Sequence, residues 1–435
     1  MAEKPLKIGM IGCGVVGTGV ARLLLEQKSR LNAKARRELS LVRVAVRDAG
    51  KSRDPSLAKI EFTPNWNEIV NDPSIDVVVE LAGGVDWTRK AVLKALAAGK
   101  HVVTANKALL AIHGNEIFDA ARKHQVCVAF EACVAGGIPI IGVLTQGLSA
   151  NQITGLRGIL NGTCNFILTA MSESGASYQE ALKEAQTRGF AEADPSLDVN
   201  GTDTAHKLLI LVQIAFGQTL QFEKVDRKGI DSLDSTDIRF AMELGYGIKL
   251  LAEAWLNEGR LTIHVSPVLV RGNSPLAQVR GAYNAIQVIG DAVGDTYYQG
   301  LGAGRMPTAS SVVADLIDIA IGRAQNTFRS MKLWSAEQPT LALLDNSLVR
   351  SRYYLRLLVD DRPGVLAEVT SILAKHLISI ASIIQHEAAA EGDTSRVQLV
   401  IMTHVSKCAA FLAAVKELGT LSFVTGNVVN YPVED

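Results

Sequence analysis

The chain has 435 residues, which at roughly 150 residues per domain implies two or three domains and at least one full-sized core. Its 44 Lys plus Arg balance 44 Asp plus Glu, so no global field argues for nucleic acid or an anionic membrane as a partner, and any anionic ligand must be held locally. A composition of 48% hydrophobic and 20% charged residues excludes a disordered chain.

From Leu6 to about Phe130, short β-branched runs alternate with amphipathic helical stretches: KIGMIG, Val15 to Glu38, LVRVAV, IDVVVELAG, Thr88 to Ala98, HVVTAN, Leu109 to His124 and VCVAF. This is the βαβ rhythm of a Rossmann-like, doubly wound parallel sheet of the α/β class, assigned to residues 1–135. The apolar stretch Ile8 to Ala21 is broken by glycines and has no cleavage-site pattern, so no signal peptide is expected. Within it, Gly12, Gly14 and Gly17 spell G-x-G-x-x-G between a strand and a helix. Gly12 permits the tight turn, Gly14 lets backbone approach a pyrophosphate, and Gly17 allows close helix–strand packing; the alternative is a glycine-rich turn at a strand end. The second strand, Leu41 to Val46, ends at Arg47, with Asp48, Lys51 and Arg53 close behind. An Arg at that tip suits a 2′-phosphate and points to NADP over NAD, against the alternative of a solvated basic loop.

A second, α+β unit is expected over residues 136–334. Its uncharged run Ala132 to Leu156 carries too many Gly, Pro, Gln and Asn to span a membrane as a helix. The densest polar signal runs from Gly189 to Lys207 into an apolar helix near Ala205 to Phe216. The turn signals Asp194-Pro195 and Asn200-Gly201 put Glu192 and Asp198 on a loop before that helix. Asp203 and Lys207 are four apart and share a helical face. One reading is an Asn200 cap, an Asp203 capping-box acid and a surface Lys207. The other is that an ion pair on so apolar a helix is buried and functional, with Lys207 able to donate a proton and the loop carboxylates able to hold a substrate ammonium. His206 with Asp194 and Asp198 lacks a metal-ligand spacing, and Ser310 and Ser311 lie in no nucleophile elbow.

Ser335 to Arg352, with Pro339, reads as a connector. Residues 350–435 then read as strand Tyr353 to Asp360, helix Val365 to His376, strand Ser379 to Glu387, polar hairpin Ala390 to Thr394, strand Arg396 to His404, helix Lys407 to Leu418 and strand Val424 to Val429, a ferredoxin-like βαββαβ plan. Cys13, Cys127, Cys133, Cys164 and Cys408 form no C-x-x-C pair and fit neither a disulfide framework nor a zinc site, so a reducing, cytoplasmic setting is expected.

These residues resemble the homoserine dehydrogenase family of the bacterial type with a C-terminal ACT domain. The resemblance covers nearly the whole chain and rests on GMIGCGVVG (9 to 17), VVTANKALL (102 to 110), FEACVAGGIPII (130 to 141), LNGTCNFIL (160 to 168), GFAEADPSLDVNGTDTAHK (189 to 207), GLGAGRMPTASSVVAD (300 to 315) and DRPGVLAEVTSIL (361 to 373). It implies NAD(P)-dependent interconversion of L-aspartate 4-semialdehyde and L-homoserine on the way to threonine, methionine and isoleucine. The implied catalytic residues are Lys207, as proton donor to the aldehyde oxygen, and Lys107. Glu192 is implied to bind the substrate ammonium, while Asp198 and Asp203 orient the substrate. Cofactor contacts are implied for Gly12, Gly14, Val15, Val16, Gly17, Arg47, Thr104, Lys107, Gly189, Gly302 and Gly304. The segment of about 300–330 is implied to close over the nicotinamide side and return to the first domain; Leu301 stands where the family's G-P-G-A-G wording has Pro. A monovalent cation, sodium or potassium, is implied at Glu131, Val134, Gly136 and Ile138, whose oxygen donors suit a hard ion. The resemblance further implies L-threonine feedback through the ACT domain and a homodimer or homotetramer. A cofactor-binding amino-acid sensor without catalysis is the competing class, and the retained Lys107, Glu192, Asp203 and Lys207 argue against it.

Overall fold

The computed structural model describes residues 4–335, 337, 341–386 and 396–434. The apolar run Leu6–Ile11 forms β1 and is buried along nearly all its length. It is followed by α1 (Val15–Glu26), α2 (Lys28–Ala35), β2 (Leu39–Ala45), β3 (Glu61–Thr63), α3 (Trp66–Asn71), β4 (Val77–Glu80), α4 (Asp86–Ala97), β5 (His101–Thr104), α5 (Lys107–Lys123) and β6 (Val128–Ala129). The strands pair in parallel in the order β3-β2-β1-β4-β5-β6. The order reverses between β1 and β4, and a doubly wound sheet binds ligands outside the carboxyl ends of its strands at that switch point. One difference from the sequence reading is the stretch Val15 to Glu38, which is two helices: Gln27, at φ −109° and ψ 21°, leaves the helical region and redirects the chain so that Leu31 and Ala35 reach the core.

The second unit contains α6 (Ile140–Gly142), β7 (Ile153–Ile159), α7 (Gly162–Ser174), α8 (Tyr178–Thr187), α9 (Ser196–Val199), α10 (Thr202–Phe216), β8 (Asp226–Arg227), α11 (Ser235–Glu243), β9 (Tyr246–Asn257), β10 (Arg260–Arg271), β11 (Tyr283–Gly290) and β12 (Gly294–Leu301). The strands run antiparallel along the path β12-β11-β7-β9-β10, with α7, α10 and α11 packed on β9. The next helix, α12 (Arg305–Ala320), leaves this sheet and packs on α1, sharing a core of Ala309, Val312 and Leu316 with Ile8, Met10 and Val20. Gly19 permits that approach, since a Cβ there would lie 2.7 Å from the Arg305 carbonyl. After α13 (Arg323–Met331), β13 (Ala342–Leu343) adds to β10.

The last unit runs β14 (Arg350–Asp360), α14 (Val365–Lys375), β15 (Ile380–Gln385), β16 (Arg396–Thr403), β17 (Ser406–Lys407), α15 (Cys408–Leu418) and β18 (Val424–Val433). Its sheet order β18-β14-β16-β15 is the ferredoxin-like plan, closed over Leu355, Leu357, Val369, Leu373, Leu399 and Phe411. The final strand extends past the expected Val429 to Val433 because Tyr431 and Val433 pair with β14, and Val433 also meets Leu269 of β10. The second and third units therefore share one continuous sheet. The expected hairpin Ala390 to Thr394 and Pro339 lie outside the described residues.

Candidate active site

The apolar sequence of α10 buries nearly all of it, including Asp203 and Lys207, each 8% exposed. Gly201, at φ 82°, turns the chain into this helix and is its cap; the Asn200 side-chain oxygen accepts from the Thr202 amide, at 2.9 Å. The reading of Lys207 as a surface partner is therefore corrected. Its Nζ donates to Asp203 Oδ2 at 2.7 Å and to the Leu160 carbonyl at 2.6 Å, inside the protein. On the other side, Asn106 caps α5 through the Leu109 amide and sets Lys107 in the first turn, where its Nζ lies 2.9 Å from Asp203 Oδ1. One carboxylate thus lies between two lysines. Burial alone would raise the Asp203 carboxyl, but Lys207 and then Lys107 hold it well below the usual carboxylate range. In return the Asp203 charge pushes the Lys107 ammonium up, against burial.

Asn161, the cap of α7, ties this cluster to the preceding loop. Its amide nitrogen donates to Asp203 Oδ2 at 2.9 Å and to Asp198 Oδ1 at 2.8 Å, while its oxygen accepts from the Cys164 amide. Thr163 donates to the Phe190 carbonyl at 2.6 Å, which anchors the 189–192 turn beside Asp198. Burial raises the Asp198 carboxyl, with the Asn161 hydrogen bond opposing.

At the sheet's switch point, Gly12 has φ 100°, and a Cβ on it would lie 2.7 Å from the Ala82 nitrogen. A Cβ on Gly17 would lie 2.4 Å from the Gly12 carbonyl, whereas one on Gly14 would meet open space. No side chain caps α1 and no acid lies in its first turn, and among the described residues the amides of Val15 and Val16 have no acceptor. Glu80, fully buried at the end of β4, accepts from the Ala82 and Gly83 amides (2.9 and 3.1 Å) and from the Thr104 hydroxyl (2.8 Å). Thr104 accepts in turn from the Asn106 amide, and Asn106 donates to the Gly84 carbonyl at 2.7 Å. This ring of hydrogen bonds joins both strand exits to the start of α5, and so fixes Lys107.

The glycine-rich turn after β12 approaches from the second unit. Gly302 leaves no room for a Cβ, which would lie 2.2 Å from Asn284, and its carbonyl accepts from the Gly136 amide at 2.8 Å. Beside it, Glu131 is buried and accepts from the Ile141 and Gly142 amides at 2.9 and 2.8 Å; burial pushes its carboxyl up to about 7. Among the described residues, no Lys or Arg pairs with Glu131, and the neighbouring buried Asp315 accepts from its amide at 3.0 Å.

Three family models match the chain: homoserine dehydrogenase, NAD binding domain, over residues 12–131, homoserine dehydrogenase over 139–317 and the ACT domain over 353–422. A homoserine dehydrogenase of Pseudomonas aeruginosa is 44% identical over 434 residues, covering 99% of each chain. The chain belongs to the homoserine dehydrogenase family. It is thus an oxidoreductase with a nucleotide-binding unit and an ACT unit. A solved homoserine dehydrogenase from Thiobacillus denitrificans is 45% identical, with TM-score 0.92 and 99% of each chain covered. A hyperthermophilic archaeal family member solved in complex with NADPH is 26% identical, with TM-score 0.62, over 73% of this chain and 98% of that one.

Of the family positions expected from sequence, Lys107, Asp198, Asp203 and Lys207 converge in one cluster, and Gly12, Gly14, Gly17 and Thr104 line the strand exits next to it. Glu192 is exposed, and among the described residues its carboxylate makes no hydrogen bond to that cluster. Arg47 is exposed two residues beyond β2, while Arg53 is tied to the carbonyls of Ala49 (3.1 Å) and Lys51 (2.7 Å) and lies over Phe62. His206 packs its ring on Phe222 at 4.7 Å. Sequence reasoning misses Glu80, Asn106 and Asn161. The Asn161-Gly162 pair carries a cap signal before an apolar helix, whereas a single acid closing the run VVVE carries none.

Proposed function

We propose that the chain interconverts L-aspartate 4-semialdehyde and L-homoserine with NADP in preference to NAD, in the supply of threonine, methionine and isoleucine. The observation that carries this reading is Asp203 held between the Lys107 and Lys207 ammonium groups beside a nucleotide-type glycine loop. When bound, the nicotinamide cofactor supplies or receives the hydride. Lys207 has three N–H bonds and two are committed inside the protein, which leaves one for the substrate's aldehyde oxygen as negative charge develops there. Lys107, with Asp203 as its partner and a partly exposed side chain, is the second cation at the reacting oxygen. Asp198 and Asp203 orient the substrate, and Glu192, on the exposed side of the loop, takes its ammonium.

The cofactor is assigned to Gly12, Gly14, Val15, Val16, Gly17, Thr104, Lys107, Gly189, Gly302 and Gly304. The open space at Gly14 and the uncapped α1 amides support a pyrophosphate there. Arg47, exposed just past β2, is the group for a 2′-phosphate, and the archaeal relative solved in complex with NADPH supports a phosphorylated nicotinamide cofactor for this site. Glu131 with the carbonyls of Val134, Gly136 and Ile138 is the place for sodium or potassium; a buried carboxyl with no basic partner among the described residues is what such an ion would neutralise. Five unpaired cysteines support a reducing cytoplasmic setting, and no helix among the described residues is long and apolar enough to cross a membrane. Exposed Tyr283, Tyr297 and Leu301 at the β11–β12 edge support a homodimer or homotetramer. L-Threonine acting through the ACT unit is the proposed regulation.

The test is reduced-nicotinamide absorbance with L-homoserine, with NADP and NAD in parallel and with and without L-threonine. Signal growth that is faster with NADP and reduced by threonine is the expected result. No signal with either cofactor, despite cofactor binding, would overturn the substrate assignment.

A further inference from the structure

Three consecutive residues between β8 and α11 touch the ACT unit at one end and the Asp198 turn at the other. Lys228 lies along the last ACT strand, its Nζ 4.5 Å from the Tyr431 ring centre and 3.2 Å from the Asn430 carbonyl. Its own amide donates to the Val265 carbonyl at 2.8 Å, which pins this end to β10. Gly229 is buried against α9 so closely that a Cβ on it would lie 2.0 Å from the Val199 carbonyl and 2.6 Å from Asn200 Cα, both backbone atoms. Ile230, fully buried, donates its amide to the same Val199 carbonyl at 2.8 Å. That carbonyl follows Asp198 directly, and Gly201 then opens α10, which carries Asp203 and Lys207.

On the ACT side, the strand that Lys228 touches is itself held by the second unit. Tyr431 pairs with Tyr354 across the sheet, their rings stack at 6.1 Å, and Tyr354 donates to the buried Asp237 of α11 at 3.0 Å. A shift of β18 therefore acts on the Lys228 ammonium, and the Lys228 backbone is two residues from the amide that bonds α9.

We infer that residues 228–230 are a positioning strap, which holds the Asp198 turn in register and passes displacements of the last ACT strand to the substrate side of the site. The inference rests on Asp198 being a substrate residue, and on nothing about which amino acid the ACT unit binds. The physical warrant is a contiguous chain of contacts, made by the Lys228 ammonium on the ACT strand and by backbone from Gly229 to Val199, with no slack at Gly229. Its selectivity follows: α9 itself carries Asp198, whereas the glycine loop at Gly12 to Gly17 is in the other unit, so the strap governs substrate and leaves the pyrophosphate loop alone.

The test uses the full chain with Gly229→Ala, Lys228→Met and Asp198→Asn, reading kcat and KM for homoserine and for the cofactor separately. Hydrogen exchange over residues 196–203 is followed in parallel. Gly229→Ala is expected to lower kcat/KM for homoserine about 10- to 100-fold, the cost of an ångström-scale misplacement, with cofactor KM unchanged. Lys228→Met is expected to raise homoserine KM several-fold and to speed exchange over 196–203. Should Gly229→Ala fail to fold, Lys228→Met decides. Wild-type homoserine KM and wild-type exchange in Lys228→Met would overturn the strap. Asp198→Asn with wild-type kinetics would instead overturn the substrate reading beneath it, and the exchange data would still judge the strap.

Discussion

Lys207 and Lys107 differ in how their protons are committed, and this separates their expected roles. Lys207 donates to Leu160 and Asp203 and is buried, so its remaining N–H is aimed by two fixed bonds; the Lys107 ammonium has Asp203 alone among the described residues. Lys207→Ala is expected to cut kcat by about 10²- to 10⁴-fold with cofactor affinity kept, which single-turnover kinetics and cofactor titration would check. Retained turnover would remove Lys207 from the proton path. Glu131 provides a pH test. Its carboxyl lies at about 7 in the folded protein against an ordinary 4.5, so the fold binds the extra proton. Its stabilising contribution is complete below the unfolded value and is lost as pH rises through about 7, an effect of about 3 kcal/mol. In buffer free of sodium and potassium, Tm is expected to fall between about pH 5 and pH 8, more steeply than in Glu131→Gln, and added cation is expected to restore it. Equal slopes in the two proteins would dissociate Glu131 from that dependence.

At the scale of elements, α5 decides where Lys107 stands. The helix kinks at His113, and next to it Gly114 lies under the Trp334 indole, with no space for a Cβ. Trp334 also packs on Phe118 at 4.4 Å and Phe130 at 5.6 Å, and its carbonyl and that of Leu333 accept from Arg122. Trp334→Ala is expected to cost about 3–5 kcal/mol in urea denaturation, through a large cavity beside α5, and to lower kcat by misplacing Lys107. A loss under 1 kcal/mol would show that α5 is held by its other contacts. The elements readable from sequence are those with a period: β1 with its glycine exit, α10 with its apolar run, and the βαββαβ tail. The pairing of Asp203 with Lys207 follows from helical spacing, but the approach of Lys107 to the same carboxylate depends on how α5 meets α10, which no local pattern encodes. Nor do the short edge strand β3, with Glu61 exposed, or the role of Glu80 leave a periodic trace. Asn200 and Gly201 show the limit of turn chemistry: the pair signals a helix start, and only the φ of 82° at Gly201 decides which of them is the cap.

For the whole molecule, the ACT unit is not an appendage that can be cut away cleanly. Its β18 continues the sheet of the second unit at Leu269, and Glu434 next to it donates its amide to Leu269 and pairs with Arg157 of β7. Asp237, fully buried on α11, depends on ACT residues: Arg356 donates to it through Nε at 2.5 Å and Nη2 at 2.9 Å, and Tyr354 through its hydroxyl. Deleting residues 350–435 would remove the partners of Asp237 and uncover the edge of β10, so lost activity in such a truncation would report damage as well as lost regulation. A point change separates the two. Arg356→Met is expected to cost about 3–5 kcal/mol, because it leaves a buried carboxylate uncompensated. Adding Asp237→Asn to it should recover most of that loss, since the desolvated charge is then gone while Tyr354 keeps an acceptor. Chemical denaturation of the wild type, both single variants and the double variant gives the coupling directly. Additive losses would mean that Arg356 and Asp237 act independently, and that the units are held together by the shared sheet and by contacts such as Arg157 with Glu434.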